Sequence, residues 1–473
     1  MRSTPEHVLS VTVGTLGVMG MRNRERRAAK QRARRRTSTC AGPVGFEGRS
    51  ALPSATELAG LVLAAAQDCA AGVVAAADEC ASALVDRPFA DSPMLVARAV
   101  ELAALDGLTH AWRRGWLPAD LWQIAGRDQP AAVSYLVDML AADARRHPAA
   151  AVHPAWRAQL DRLSAQVWWQ PDEPHLDQWS ARHRVGRHDV VAIVVRWLAQ
   201  LWMLPKMSEL IPPPGSPAAA TAHAARGRGS SAGGRVGDPG GVDPKMLTRV
   251  RALLAKAEST EFAEEADAFF AKAQELMTRY SLERAMLFAD GDIGSAGPGG
   301  RRIWLDAPYL SAKSMLVDQV ARANRAKAVF HARLGCLTVL GDEVDLELVE
   351  VLSTSLLVHA SGTMVAAGRQ LERSGQSRTK SFRQSFLVSY ATRIGERLTA
   401  TDVATSQALA DELGDGRLLP VLAARTEEVD KLYRSLFPQV RSRRLTVSND
   451  AGWGAGRVAA DLADLDVRRA VGG

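Results

Sequence analysis

DPKMLTRVRALLAKAESTEFAEEADAFFAKAQELMTRY, residues Asp243 to Tyr280, is the stretch from which the architecture is read. Ala-Leu-Leu-Ala-Lys-Ala-Glu at 252–258 returns sixteen residues later as Ala-Phe-Phe-Ala-Lys-Ala-Gln at 268–274. Two helices of matching pattern joined by a few residues make an αα-hairpin. Asp243 suits the N-cap and Pro244 the first helical position. Met246, Val250, Leu253, Leu254 and Ala257 form the apolar stripe of helix one. Phe269, Phe270, Ala273, Leu276, Met277 and Tyr280 do so for helix two. The alanines flanking Lys256 and Lys272 let the two helices approach closely. Glu261, Glu264, Glu265 and Asp267 crowd the start of helix two, where the helix dipole favours acids. Helix one sets Lys245, Arg249, Arg251 and Lys256 against Glu258 alone. A solvated face explains that charge, and a phosphate-facing strip is the other reading.

The segment 243–287 resembles the domain-of-unknown-function family 2786. The resemblance rests on Val250, Leu253 and Leu254, the Ala-Lys-Ala of 255–257, Glu265-Ala266, and the run Ala271-Lys-Ala-Gln-Glu-Leu-Met277. Ala263 departs from the pattern, standing where many members carry a proline that opens helix two. Trp304, the Gly341-Asp342 junction, Ser381-Phe382-Arg383 and the terminal Gly-rich helix are similar to the companion region that often follows this hairpin, including in phage-encoded members. The family name states no activity, and the resemblance carries over no catalytic residue. The company it keeps implies nucleic-acid or mobile-element biology by association alone.

Working outward, 473 residues give room for two or three domains, each with its own core. Four cysteines at 40, 69, 80 and 336 show no paired spacing, which fits a reducing, cytoplasmic setting. Neither a zinc pattern nor HExxH is present, so no metal or cofactor is expected. The net charge of +7 is local. Arg22 to Arg36, RNRERRAAKQRARRR, holds nine basic residues and one acid, so the rest of the chain sums to −1. The high pI therefore describes an arm, whose Arg24, Arg26, Arg27, Lys30, Arg32, Arg34, Arg35 and Arg36 are candidate polyanion contacts. Like charges and few apolar residues predict disorder in the free arm.

No segment reads as membrane-spanning. Val190 to Leu204 is only fifteen residues long and is interrupted by Arg196, whereas a span needs about 20. The apolar Val8 to Met21 precedes its arginines, the reverse of a secretory signal, and translation is expected to start at Met19 or Met21.

The expected fold class is mainly α and multidomain. Residues 1–50 form the basic disordered arm. Residues 51–205 form an all-helical domain, rich in Ala and Leu, where nine of the eleven tryptophans lie. Trp112 and Trp116 share a helix face, with Trp122 following the Pro118 turn. They read as core, with an aromatic platform as the sharper alternative. Thirteen of the 32 residues from Ile211 to Val242 are Gly or Pro, so 206–242 reads as a linker. The hairpin occupies 243–290, a Gly-rich break 291–301, and an α+β domain 302–473. In that domain Ala328–Leu334 and Cys336–Leu340 read as a β-hairpin turning at Gly335. Helices follow from Asp342 to Leu371 and from Ser381 to Leu398, and a strand at Leu445–Ser448 leads into a last helix.

The helix Ser381–Leu398 supplies the sharpest functional pointer. At about 100° per residue, Phe382, Phe386, Tyr390, Ile394 and Leu398 form one face, and Arg383, Arg393 and Arg397 project on that side. In the structural reading the guanidiniums pair with acids, the run Asp342, Glu343, Asp345, Glu347 and Glu350 being at hand. In the functional one they converge on a phosphate, with Arg378 and Lys380 adding charge and Tyr390 stacking on a base. The Gly-rich Ala451–Ala460 fails the dinucleotide fingerprint because Arg457 takes the place of the third glycine. Gly452, Gly456 and Ala460, four apart, read instead as a close-packing stripe.

These observations favour a non-catalytic, nucleic-acid-associated protein using the basic arm and the arginine-bearing helix, with DNA or RNA as partner and no membrane. The alternatives are an enzyme acting on a phosphorylated substrate through the same arginines, and a protein-interaction adaptor.

Overall fold

The structure, a computed structural model, describes residues 9–14, 53–85, 89, 91–229, 242–260, 263–289, 297–373, 380–414, 416–445 and 449–461. The chain is mainly helical and divides into two compact units, Leu16–Ala225 and Arg226–Gly473 with Met1–Thr15. Arg24, Arg26, Arg27, Lys30, Arg32, Arg34, Arg35 and Arg36 lie outside the described residues, as does Arg378. Leu9–Gly14, expected within the arm, is instead strand β1. Its Val-Thr-Val run is β-branched and suits a pleated strand.

The first unit is all helical, with α1 Ala55–Ala70, α2 Ala76–Val85, α3 Pro93–Arg113, α4 Pro118–Asp128, α5 Val133–Arg145, α6 Pro154–Arg162, α7 His175–His183 and α8 Arg187–Met203. Local signals set the boundaries. Ser54 and Glu57 form a reciprocal cap on α1, and Pro118 opens α4. Trp112 and Trp116 are buried, as the core reading expects, but Trp122 is 39% exposed. Trp116 Nε1 donates to the Pro205 carbonyl (2.9 Å), and Arg114 donates to the Leu204 carbonyl (2.7 Å), fastening the chain after α8 to the turn after α3. Inside the stretch read as a linker, Pro217–Gly229 is helix α9. Its alanine run favours helix, and Ser216 Oγ accepts from Ala219 N at its start. Counting Gly and Pro over the whole window hid that short alanine segment.

In the second unit the hairpin is α10 Pro244–Ser259 and α11 Ala263–Ala289. The Asp243 carboxylate caps α10 by accepting from Lys245 N (2.8 Å). Strand β2 (Gly299–Trp304), helix α12 (Leu310–Ala323) and strands β3 (Lys327–His331) and β4 (Cys336–Gly341) follow. Then come α13 Glu343–Arg373, α14 Lys380–Leu413, α15 Leu418–Leu436, β5 Val440–Leu445 and α16 Asp450–Asp461. The β3–β4 hairpin turns at Gly335 as expected, with φ 73° there. β2 pairs antiparallel with β4. The small antiparallel sheet β2-β4-β3 is continued by β1, parallel to β3, and β5, antiparallel to β1.

A large core runs through this unit, beside a smaller cluster of Leu282, Met286, Leu409 and Leu418. Val250, Leu254, Phe270 and Met277 of the hairpin share the large core with Ile303, Val320, Leu337, Leu352, Phe386 and Ala460. The hairpin is therefore built into the α+β region, because its inward stripe needs that surface to cover it. Among the described residues one stretch, Glu343–Ala367 of α13, is long and apolar enough to cross a membrane, which the sequence reading did not single out. Its Leu348, Leu352, Leu356 and Ala360 lie in the same core, and a buried core helix is apolar for that reason alone.

Candidate nucleic-acid interface

On α14 the five apolar residues Phe382, Phe386, Tyr390, Ile394 and Leu398 are all buried, so the projected face is real. It meets the molecule's own interior. The Tyr390 ring stacks on Phe386 (centroids 6.3 Å, 9° between planes), and its hydroxyl is hydrogen-bonded to His359 Nδ1 (2.8 Å). Burial pushes the His359 pKa below its ordinary value, against the opposing pull of Glu258. Tyr390 is fully enclosed and presents no face to a base, which corrects its expected stacking role.

Arg393 and Arg397 of α14 turn to different partners. Arg397 is buried and donates through Nη1 to the Ala460 carbonyl in the last turn of α16, where a cation complements the helix C-terminus. Arg393 pairs with Glu396 (2.8 Å) one turn along. Arg383 is half-buried and Lys380 exposed. Helix α16 lies close against α14. A Cβ on Gly452 or Gly456 would fall onto the carbonyl oxygens of Phe382 and Phe386, so the glycine stripe does allow helix-on-helix contact. That contact occupies the side of α14 that was open on paper.

The acidic run expected to receive those arginines receives others. Arg301 of β2 bridges Glu343 (2.7 Å) and Glu350 (2.6 Å). Arg425 of α15 meets Asp342 (3.2 Å), and Arg325 lies 3.6 Å from Asp345. Glu347 accepts from Val242 N (3.3 Å). Burial raises the carboxyl pKa of both Glu343 and Asp345, with Arg301 and Arg325 opposing the rise.

Sequence reasoning missed a buried polar network that ties α11 to the rest. Gln274 Nε2 donates to Asn324 Oδ1 (3.1 Å), and Asn324 Nδ2 returns a bond to Gln274 Oε1 (3.3 Å). Thr278 Oγ1 and Arg325 Nη1 both donate to Asp402 Oδ1 of α14 (2.9 and 2.8 Å). Arg325 holds a left-handed backbone, φ 57°. The signal was present: Gln274, Thr278 and Ser281 sit at i, i+4 and i+7, on the same side as Phe270 and Met277. A polar trio on an inward stripe is a network waiting for partners.

The first helix of the hairpin ends up differently. Its inward residues Leu247, Val250, Leu254 and Ala257 are buried. Lys245, Arg249, Arg251 and Lys256 are all exposed. Lys245, Arg249 and Lys256, at i, i+4 and i+11, project within about 40° of each other on the outward side. They span about 16 Å of helix. None of the three makes an ion pair among the described residues. Lys256 Nζ sits 5.7 Å from the centre of the Phe269 ring, and the helix's one acid, Glu258, accepts a hydrogen bond from Ser355. Thr248, Ala252 and Ser259 lie beside the three cations, and all are exposed. The result is a narrow cationic stripe with small neighbours and, among the described residues, no ion-paired carboxylate. Among the described residues no group of His, Cys, Asp and Glu is placed to hold a metal ion.

Residues 245–284, which make up α10 and most of α11, match the family model described as Protein of unknown function (DUF2786). The hairpin resemblance read from the residues is thus shown over that segment. No curated protein and no solved structure matches this chain.

Proposed function

We propose that this is a non-catalytic, nucleic-acid-associated protein that holds the phosphate backbone of DNA or RNA. Two features act together: the basic arm Arg22–Arg36, and the α10 stripe of Lys245, Arg249 and Lys256. The observation that carries the reading is the stripe. In the same unit Arg279, Arg301, Arg325, Arg393 and Arg425 are each matched to a carboxylate. The three cations of α10 are left to solvent on one line. Cations held without internal partners supply affinity by releasing counterions from a polyanion, without regard to base sequence. The small residues between them let a phosphate backbone come close, and none of them reaches a base edge.

The test is fluorescence anisotropy of the full chain on labelled DNA and RNA across a salt series. Binding is expected at low salt. Lys245→Gln/Arg249→Gln/Lys256→Gln should reduce the slope of log K against log salt by about 3 on duplex DNA if each cation meets one phosphate. Absence of binding at low salt, or an unchanged slope in the triple variant, overturns this placement of the interface.

A further inference from the structure

Burial accounts for the inward side of α13, whose Leu348, Leu352, Leu356 and Ala360 lie in the core of the second unit. Less than half of the helix's most apolar stretch is enclosed, however. Val358 is 55% exposed and Val365 44%, and Thr354, Gly362 and Ala366 are exposed beside them. A Cβ built on Gly362 would meet nothing within 4 Å, so the helix backbone itself is open there. A solvated helix side ordinarily carries charge. This one carries no Asp, Glu, Lys or Arg between Glu350 and Arg369.

The pattern on that side is symmetric about Val358. Thr354 and Gly362 stand four residues to either side of it, Val351 and Val365 seven, and Glu347 and Arg369 eleven. At about 100° per residue all six positions fall within about 40° of Val358. A helix so arranged complements its own reverse. Laid antiparallel with the crossing at Val358, a second α13 sets Thr354 against Gly362, Val351 against Val365, and Glu347 against Arg369. Each pairing occurs twice, as a two-fold interface demands. Gly362 lets the backbones approach, and opposite charges close both ends of a contact about 33 Å long. A parallel pairing would set Glu347 on Glu347 and Arg369 on Arg369, so charge selects the antiparallel one. Val351 is half-buried at the margin of the core. The flanking carboxylates Glu343 and Glu350 are taken by Arg301, which leaves Glu347, whose Oε2 accepts from Val242 N (3.3 Å).

We propose that this chain pairs with a second copy of itself through the outward side of α13, the two helices running antiparallel and crossing at Val358. The partner covers the valines that the chain's own core leaves in water. The charges at either end set direction and register.

Light scattering of the full chain over a dilution series decides it, after nuclease treatment so that no nucleic acid bridges two chains. The wild type should give the mass of two chains, passing to one on dilution. Val358→Asp, at a side chain already open to water, should give one chain at every concentration. Glu347→Arg replaces two attractive contacts with two repulsive ones and should weaken pairing about tenfold. Adding Arg369→Glu should restore it. The charge variants alter no apolar residue, so they decide the matter if Val358→Asp unfolds. A wild type that is one chain throughout, a dimer unmoved by Val358→Asp, or a double charge swap that fails to restore pairing overturns the proposal.

Discussion

On α14, Arg397 is buried with its guanidinium on the Ala460 carbonyl, and Arg393 is held by Glu396. On α10, Lys245, Arg249 and Lys256 stand exposed and make no ion pair among the described residues. Both helices display cations beside an apolar stripe in the sequence, and the pattern on α14 is the more arresting one. The difference lies in what packs around each. α14 touches α11, α12, α13 and α16, so even its Ser385 and Ser389 are buried. α10 packs against α11 and α13 and leaves its outward side to water. A cation's place on a helical wheel says which side it is on, and only the neighbours say whether that side is open.

The comparison is broken most directly at Phe386. If α14 is a core helix, Phe386→Ala should destabilise the second unit by about 3–5 kcal/mol, read from the urea midpoint. A loss typical of a surface site would mean that the aromatic face is available after all, and the α14 reading would return.

A pH series sharpens the same contrast, since it asks what a buried basic group costs. Burial, reinforced by Arg302, lowers the His331 pKa to about 4. A folded pKa below the unfolded one means that the unfolded chain takes up the proton first. Stability from this group is therefore complete above about pH 6.5 and falls as pH drops toward about 4. Each unit of separation is worth about 1.4 kcal/mol, so the loss reaches about 3 kcal/mol. Denaturation of the wild type and of His331→Gln between those limits should show a steeper fall in the wild type. Parallel curves would show that His331 protonates freely in the folded state.

The smallest effects are the most discriminating. Arg397→Ala should cost about 2 kcal/mol, because it strips a charged donor from the buried Ala460 carbonyl. Replacing Lys245, Arg249 and Lys256 with glutamine should leave the midpoint where it was while weakening nucleic-acid binding. If the triple variant unfolds early, those cations are structural and the stripe is not an interface.

How much was legible follows from particular residues. The hairpin was readable because Asp243, Pro244 and the repeated Ala-X-X-Ala-Lys-Ala are local signals, and so was the Gly335 turn. The Gly452/Gly456/Ala460 stripe was readable as packing, although its partner, the backbone of Phe382 and Phe386, was not. Helix α9 was lost in a window averaged over glycines. The partners of Asp342 to Glu350 were misassigned, because ion pairing depends on which strands and helices are brought near. Arg301 and Arg425 reached that run from elements distant in the chain.

Taken alone, the sequence determined where helices begin, which sides are apolar, where charge concentrates, and that 245–284 is a recognisable hairpin. Those are matters of backbone preference and of spacing along one element. The tertiary structure decided which cations are consumed and which remain free, and it placed Gln274, Thr278, Arg325 and Asp402 in one network. A charge is spent or spared by neighbours that can be a hundred residues away, and no periodicity within a single helix encodes them.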